Sequence, residues 1–219
     1  MSIVLLQFIC YNKRIIFVAN IKINNEGVIM KLLEEEIRKR CKILPGNVLK
    51  VNSFLNHKID PILLDKMADE WYEKFKNDNI TKIVTIEASG IAMAILVALK
   101  FKCELVFAKK GDVVTLGDVL TASVYSFTKK KDFTISIEKG FIKEDDNVLI
   151  IDDFLANGSA CEALISIIKY AKANVKGIGI AIEKGFQDGG KKLRSQGYKV
   201  ESLAIVKSMD SIEQTIEFE

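Results

Sequence analysis

From residue 82 onward, short apolar runs alternate with longer segments of helical spacing or small residues. The runs are rich in Ile, Val and Leu and predict strands, whereas the segments between them predict helices. This alternation favours a doubly wound α/β domain with a mainly parallel sheet, whose ligands lie beyond the carboxyl ends of the strands. The predicted strands are Lys82–Ile86, Glu104–Ala108, Val148–Ile151, Gly177–Ile182 and Lys199–Val206, and the predicted helices are Ile91–Lys100, Ser159–Ala171 and Gly189–Gln196.

The part of the chain before residue 82 has a different pattern. Lys31–Ile43 has apolar residues four apart, acids early and bases late, which predicts an amphipathic helix. Asn47–Phe54 is predicted to be extended. Asp60 followed by Pro61 is typical of a helix start, with Asp as the N-cap and Pro in the first turn. The apolar stripe of that helix is predicted to comprise Leu64, Met67, Ala68, Trp71 and Phe75.

The first 29 residues differ from the rest. Their apolar runs, 3–10 and 15–19, are shorter than the roughly 18–20 residues of a membrane span, and the charges between them do not fit a secretion signal. Read back into codons, the residues before Met30 are compatible with a ribosome-binding sequence. We therefore expect residues 1–29 to be a mis-assigned N-terminal extension and residues 30–219 to be the domain. A genuine β-hairpin arm is the alternative, and the intact mass of the native protein distinguishes the two.

Composition and charge exclude several classes of protein. Nearly half of the 219 residues are apolar (49%), which rules out disorder for most of the chain, and the net charge of +3 is too small for a dedicated nucleic-acid protein. Four scattered cysteines and the single histidine, His57, argue against a zinc site. We interpret the cysteines as buried apolar residues of a cytoplasmic protein and His57 as a loop residue rather than a catalytic base.

The segment from Val148 to Ala160 carries the most chemistry. Four apolar residues end in Asp152 and Asp153, and a turn containing Asn157 and Gly158 leads into the next predicted helix. Two adjacent carboxylates are costly to bury inside a sheet, but at the end of a strand they can accept hydrogen bonds from ligand hydroxyls. The loop of small residues offers backbone N–H groups at a helix start, which favours a phosphate. The pattern therefore predicts a site for a ribose 5-phosphate.

This segment resembles the phosphoribosyl pyrophosphate (PRPP) signature of type I phosphoribosyltransferases. Because Asn157 stands where most relatives have Thr or Ser, the Phe-Leu-Ala-Asn-Gly version is similar to that of the bacterial xanthine phosphoribosyltransferase family. Segments 49–57, 86–91, 120–128 and 177–184 also resemble that family, from about Met30 to the C-terminus. The resemblance implies the type I phosphoribosyltransferase fold, with flanking helices and a flexible β-hairpin hood over 113–128; a plain surface hairpin with strands Ser123–Thr128 and Phe133–Glu138 is the alternative.

The resemblance also implies roles for individual residues. Asp152 and Asp153 would bind the ribose and act in catalysis. The PRPP 5-phosphate loop falls on Ala156, Asn157, Gly158, Ser159 and Ala160, and xanthine recognition falls on Leu49, Asn56 and Lys184. The pyrophosphate loop falls on Glu87, Ala88, Ser89 and Gly90, with Lys109 and Lys110 after the second strand. Gly111 and Asp112 stand where relatives carry further basic residues, so we expect weaker pyrophosphate binding at Lys109 and Lys110.

The implied reaction is the transfer of a 5-phosphoribosyl group from PRPP to xanthine, giving xanthosine 5′-monophosphate and pyrophosphate in purine salvage. Mg²⁺ would be carried by PRPP, with no organic cofactor and no metal site made by protein side chains alone. A homodimer is implied, without a nucleic-acid or membrane partner. The alternatives are hypoxanthine-guanine or adenine specificity, or a PRPP-sensing transcriptional regulator of the same fold.

Overall fold

The structure is a computed structural model that describes residues 10–11, 14–15, 26–111, 117–126 and 131–219. These residues form twelve strands, five α-helices and one π-helical turn, Asn52–Asn56. The helices are α1 (Glu26–Arg40), α2 (Pro61–Phe75), α3 (Ile91–Phe101), α4 (Ser159–Tyr170) and α5 (Gly189–Ser195). The strands are β1 (Cys10–Tyr11), β2 (Arg14–Ile15), β3 (Lys42–Leu44), β4 (Val48–Lys50), β5 (Lys82–Ile86), β6 (Glu104–Lys110), β7 (Val119–Ser126), β8 (Lys131–Glu138), β9 (Asn147–Leu155), β10 (Asn174–Lys184), β11 (Val200–Asp210) and β12 (Thr215–Phe218).

The main sheet has eight strands in the order β12-β11-β10-β9-β5-β6-β8-β7. Its five central strands, from β11 to β6, are parallel, and β12, β8 and β7 add antiparallel edges. The chain moves outward in one direction from β5 to β6 and in the other from β9 to β11. This reversal confirms the doubly wound architecture and creates a switch point between β5 and β9.

Two hydrophobic layers cover the faces of the sheet. Leu149 and Ile151 of β9 pack with α1, α2 and α3 on one face, whereas Val148 and Ile150 pack with α4 on the other. This division follows from the alternation of side chains along a strand, and both faces are buried as expected for central parallel strands. All five residues of the predicted α2 stripe are fully buried, and the Asp60 carboxylate accepts a hydrogen bond from Leu63 N–H, which confirms the cap.

The region before α2 differs from the prediction. The helix predicted over Lys31–Ile43 begins at Glu26 and ends at Arg40, and Ile43 lies in β3. The segment predicted to be extended contains only the short strand β4 before it coils into the π-helical turn. Cys10–Tyr11 pairs with Arg14–Ile15 in an antiparallel ladder. The remainder of 1–25 lies outside the described residues, so the origin of residues 1–29 stays a prediction.

Later elements are mostly longer than predicted. Strands β9, β10 and β11 extend beyond their predicted ends, and β12 was not predicted at all. The predicted hairpin is present as β7 and β8, with β8 joined to the main sheet through β6. Residues 112–116 and 127–130 lie outside the described residues, so the movement of a hood over 113–128 stays a prediction. No helix among the described residues is long and apolar enough to span a bilayer.

The cysteines differ in burial. Cys161 is fully buried in α4, whereas Cys41 and Cys103 are half-buried, and all three thiols are free. The expectation that all four are buried is therefore wrong for Cys41 and Cys103; the side chain of Cys10 lies outside the described residues. His57 follows the π-helical turn and is exposed.

Candidate active site

The candidate site lies at the switch point between β5 and β9, at the carboxyl edge of the parallel strands. The loop Glu87–Gly90 follows β5, the loop 156–158 follows β9, and Lys184 is the last residue of β10. Since parallel strands end at the same edge of a sheet, this topology brings predicted residues from three separate segments together. The π-helical turn contributes a fourth segment through Asn56.

The two carboxylates lie within β9 rather than after it, because the strand continues to Leu155. Asp152 and Asp153 each retain only 8% of their exposed surface. The backbone N–H of Asp153 donates to Asp152 Oδ1 at 2.9 Å, and Asn56 Nδ2 lies 3.4 Å from Asp153 Oδ2. The structure therefore joins a predicted base-binding residue to a predicted ribose-binding acid.

The electrostatic environment favours the neutral form of Asp152. Burial raises the pKa of Asp152 well above its ordinary range, and the neighbouring Asp153 carboxylate raises it further. The positive charge of Lys110 acts in the opposite direction. A buried acid beside a second acid is poised to accept hydrogen bonds from hydroxyls and to interact with a positive charge on a ligand.

The predicted phosphate loop connects β9 to α4. Gly158 has a φ of 87°, a left-handed conformation that favours glycine, and it stands at the N-cap of the helix. Asn157 Oδ1 accepts a hydrogen bond from Ser159 N–H at 3.1 Å, which fixes the turn. The loop thus presents backbone N–H groups at the start of a twelve-residue helix, an arrangement that binds phosphate.

The start of α5 supports this loop from behind. Gly189 N–H donates to the carbonyl of Ala156 at 3.1 Å. A Cβ atom on Gly189 would lie 2.4 Å from the Ala156 carbonyl oxygen and 2.6 Å from the backbone nitrogen of Gly158. Only glycine permits this approach, because no Cβ contact is that short. Lys192 Nζ also lies 2.6 Å from Glu162 Oε1 in the first turn of α4, so α5 is tied to both sides of the loop.

The predicted base-binding residues surround the other end of the site. Lys184 Nζ donates to the carbonyl of Asn47 at 2.8 Å and lies 5.9 Å from the centre of the Phe154 ring. Burial lowers the pKa of Lys184. The Leu49 side chain is buried in the hydrophobic core, so any contact it makes with a ligand falls to its backbone.

The predicted pyrophosphate segment requires one correction. Lys109 and Lys110 do not follow the second strand; they are its last two residues, because pairing with β8 extends β6. Glu87 Oε1 accepts a hydrogen bond from Lys110 N–H at 2.6 Å, which links the Glu87–Gly90 loop to that strand. The positive charge of Lys110 also lowers the pKa of Asp152, so the two side chains interact electrostatically.

Sequence reasoning missed two residues of this site. Phe154 follows the acids in the same motif, and its half-buried ring lies beneath Lys184, where it offers a flat apolar surface. Gly189 was predicted only as a helix start, although a Gly-Gly pair at the beginning of a helix was a signal for close packing. Neither role could be assigned without the contacts between β9, β10 and α5.

Oxygen donors at the site suit a hard cation such as Mg²⁺, but the described part of the chain brings no three His, Cys, Asp or Glu side chains together. Asp152 and Asp153 are two carboxylates, fewer than a dedicated protein cage for a metal needs. These two carboxylates can supply two of the oxygen ligands of such a cation.

Comparison with known proteins identifies the relatives of this chain. A family model described as phosphoribosyl transferase domain matches residues 50–219. Curated proteins named xanthine phosphoribosyltransferase, from Bacillus cereus (strain ZK / E33L) and Bacillus anthracis (strain A0248), are 54% identical over 183 residues, which cover 83% of this chain and 93% of each relative.

Solved structures with the same fold include an adenine phosphoribosyltransferase from Rhodothermus marinus DSM 4252, at a TM-score of 0.68 and 26% identity. The match covers 82% of this chain and 98% of that one. The adenine phosphoribosyltransferase from Trypanosoma brucei, solved with AMP, pyrophosphate and ribose-5-phosphate, matches at a TM-score of 0.67 and 17% identity, covering 79% of this chain and 78% of that one.

Proposed function

This chain belongs to the phosphoribosyltransferase family, and on that premise we propose that it transfers the 5-phosphoribosyl group of PRPP to xanthine. The products would be xanthosine 5′-monophosphate and pyrophosphate, which makes the reaction a step of purine salvage. The observation that carries the proposal is that the two buried acids immediately precede the proposed phosphate loop, while Asn56 of the proposed base pocket lies 3.4 Å from Asp153. The name shared by the relatives at 54% identity supports xanthine as the base.

The phosphate loop and the two acids have different roles in the proposed reaction. The loop 156–160 holds the 5-phosphate through backbone N–H groups, and Asp152 and Asp153 accept hydrogen bonds from the ribose hydroxyls. As pyrophosphate leaves C1 of the ribose, the sugar becomes oxocarbenium-like. Its developing positive charge opposes the effect of burial and favours the ionised form of Asp152, so that both carboxylates stabilise that charge. A purine nitrogen then attacks C1 from the opposite face. No protein nucleophile is needed, because the site acts by positioning and electrostatics.

The base is held by groups that match xanthine. Xanthine carries an extra oxygen at C2 and ionises readily, and the Lys184 ammonium supplies charge and donors to such a ring. Asn56 can both donate and accept. The Phe154 ring, which lies beside Lys184, would provide a stacking surface for the purine.

Mg²⁺ is proposed to enter with PRPP and to neutralise the charge of the departing pyrophosphate. Lys110 would assist by its position beside Asp152 and the Glu87–Gly90 loop. We also propose a cytoplasmic location, which the free thiols of Cys41, Cys103 and Cys161 support because a reducing compartment keeps thiols unpaired.

A homodimer is proposed as well. Ile95 and Leu99 lie one turn apart on α3 and are 52% and 69% exposed, which leaves an apolar stripe for a second copy of the chain. Light scattering after size exclusion would give the mass of two chains. A Leu99→Lys variant would shift the population toward monomer, and a wild-type mass of one chain would contradict the proposal.

The test of the function is a parallel assay with PRPP, Mg²⁺ and one of xanthine, guanine, hypoxanthine or adenine, with nucleotide formation followed by absorbance. We expect turnover of xanthine, lost in Asp153→Asn and retained in Asp145→Asn, an exposed carboxylate before β9. Turnover of a different purine alone would reject the base assignment. PRPP binding without turnover of any purine would favour the PRPP-sensing regulator.

A further inference from the structure

The turn between β11 and β12 makes an unusual side-chain contact with β3. Gln214 Oε1 accepts a hydrogen bond from Ile43 N–H at 3.0 Å, and Gln214 Nε2 donates to the Ile43 carbonyl at 2.8 Å. The same Nε2 donates to the carbonyl of Ser211 at 2.6 Å, within its own turn. The amide thus pairs with both backbone groups of one residue, as a neighbouring strand would.

A single residue pair of the β3–β4 ladder connects this contact to the proposed base pocket. Ile43 is the register partner of Leu49 in the β3–β4 ladder. The loop that joins the two strands contains Asn47, whose carbonyl accepts the hydrogen bond from Lys184 Nζ. The hairpin formed by β3 and β4 therefore carries one proposed base contact and orients another.

The hairpin needs such an external tie. Each of its strands has three residues, and a two-stranded ladder of that size is not stable by itself in water. The buried Ile43 and Leu49 side chains hold one face of it against the core, but apolar contacts are non-directional and do not fix the position of the backbone. The two directional bonds from Gln214 act on the backbone at Ile43, and the Lys184 bond acts on the loop at Asn47.

We infer that Gln214 is a positioning residue for the base-binding half of the site. It sets the β3–β4 hairpin so that Asn47 and Leu49 meet Lys184 and the purine, and among the described residues its side chain bonds only to Ile43 and Ser211, not to the proposed phosphate loop. The inference rests on the proposed function, because it assigns a support to the base pocket of that same site.

The experiment measures Gln214→Ala and Gln214→Glu against wild type and against Thr215→Ala, an exposed neighbour at the start of β12. Glutamate can still accept from Ile43 N–H, but it loses both Nε2 bonds and faces two carbonyl oxygens. We expect the KM for xanthine to rise about tenfold in both Gln214 variants, the factor for about one lost hydrogen bond, while the KM for PRPP changes by less than about twofold.

Backbone amide exchange of Ile43, measured by NMR, provides a readout that does not depend on turnover. It should accelerate by about tenfold in Gln214→Ala and remain unchanged in Thr215→Ala. An unchanged KM for xanthine, equal increases in both KM values, or unchanged Ile43 exchange would overturn the inference. Failure of the proposed function would appear instead in the wild-type protein, as absence of purine turnover.

Discussion

Replacement of Arg194 by Met is the sharpest test of how α5 is fixed behind the proposed phosphate loop. The Arg194 guanidinium forms a two-pronged ion pair with Glu183 of β10, with Nη1–Oε1 at 2.7 Å and Nη2–Oε2 at 2.8 Å. Ser202 Oγ also donates to Glu183 Oε2. The Glu183 side chain is only 5% exposed, so loss of Arg194 leaves a buried carboxylate with one remaining partner.

Breaking a buried ion pair by removing one partner costs about 3–5 kcal/mol. The Arg194 side chain is 38% exposed, so water already screens part of this pair, and we expect a loss of about 2–3 kcal/mol. For a domain of this size that corresponds to a fall in Tm of about 5–10 °C. Urea denaturation gives the free energy of unfolding directly, and Lys191→Met, an exposed position of the same helix, should change it by less than about 0.5 kcal/mol.

The loss of stability in Arg194→Met should depend on pH in a defined direction. Burial by itself raises the pKa of Glu183, but Arg194 and Ser202 lower it more, so the net pKa lies below its ordinary value of 4.5. In the wild type this carboxylate therefore stabilises the fold above about pH 4.5, and that contribution is lost as the pH falls through the lowered pKa. Without Arg194, burial raises the pKa above 4.5, and stability is lost as the pH rises through the raised value.

The decrease in the free energy of unfolding caused by Arg194→Met should accordingly be larger at about pH 7.5 than at about pH 5. Addition of Glu183→Gln should recover part of it at the higher pH, since a neutral amide costs less to bury than an unpaired charge. A deficit below about 0.5 kcal/mol, or one of equal size at both pH values, would refute the reasoning.

Three further predictions concern the site itself. Asp152→Asn should abolish turnover yet stabilise the fold by about 1–2 kcal/mol in urea denaturation. The gain should be larger at about pH 8 than at about pH 5, because the raised pKa of Asp152 means that the wild type loses stability as the pH rises. An unchanged or lower stability of the variant at the higher pH would contradict this. Lys184→Met should raise the KM for xanthine by about ten- to hundredfold while the KM for PRPP stays within about twofold, as expected for loss of hydrogen bonds from a charged group. Steady-state kinetics with each substrate varied in turn would measure both KM values, and equal increases in the two would contradict the prediction. Gly189→Ala should lower kcat/KM for PRPP by about ten- to hundredfold, because the added methyl group displaces the loop at Ala156 and Gly158. Lys191→Ala is the control. Unchanged kinetics in Gly189→Ala would mean that the loop tolerates the contact.

Local sequence patterns accounted for much of the sheet and of α2. The Asp60-Pro61 start and the apolar stripe ending at Phe75 were confirmed because both depend on residues close in sequence. The start of β5 and its end at Ile86 were also predicted correctly, because its apolar run is flanked on both sides by residues typical of turns.

The errors arose where a distant segment decides the local structure. Ile43 continues the spacing of the first helix, yet it pairs with Leu49 in a ladder that contacts Gln214, 171 residues away. Strand β9 runs through Asp152 and Asp153 because β10 pairs with it as far as Leu155, although charged residues in a central strand disfavour such an extension. Lys109 and Lys110 join β6 only because β8 returns to pair with them.

Reasoning from the residues alone reached the candidate site only where its residues are contiguous, whereas the separate residues Asn56 and Lys184 came from the family resemblance. The order from Asp152 to Ala160 places the acids and the phosphate loop in one stretch. The supports of that stretch, Gly189 and Arg194, belong to another segment, and no local pattern relates them to it. Such residues are specified by close approach and by charge pairing across the fold, which appear only in three dimensions.

Glu183 and Lys184 are consecutive in β10, and they face opposite sides of the sheet. Glu183 anchors the helix behind the proposed phosphate loop, and Lys184 lies at the proposed purine end of the site. Mutations that alter base choice around residue 184 should therefore show epistasis with mutations at residue 194, although the two side chains share no hydrogen-bond partner in the described part of the chain. In a selection for a new purine, compensating substitutions would accumulate on α5, far from the base itself.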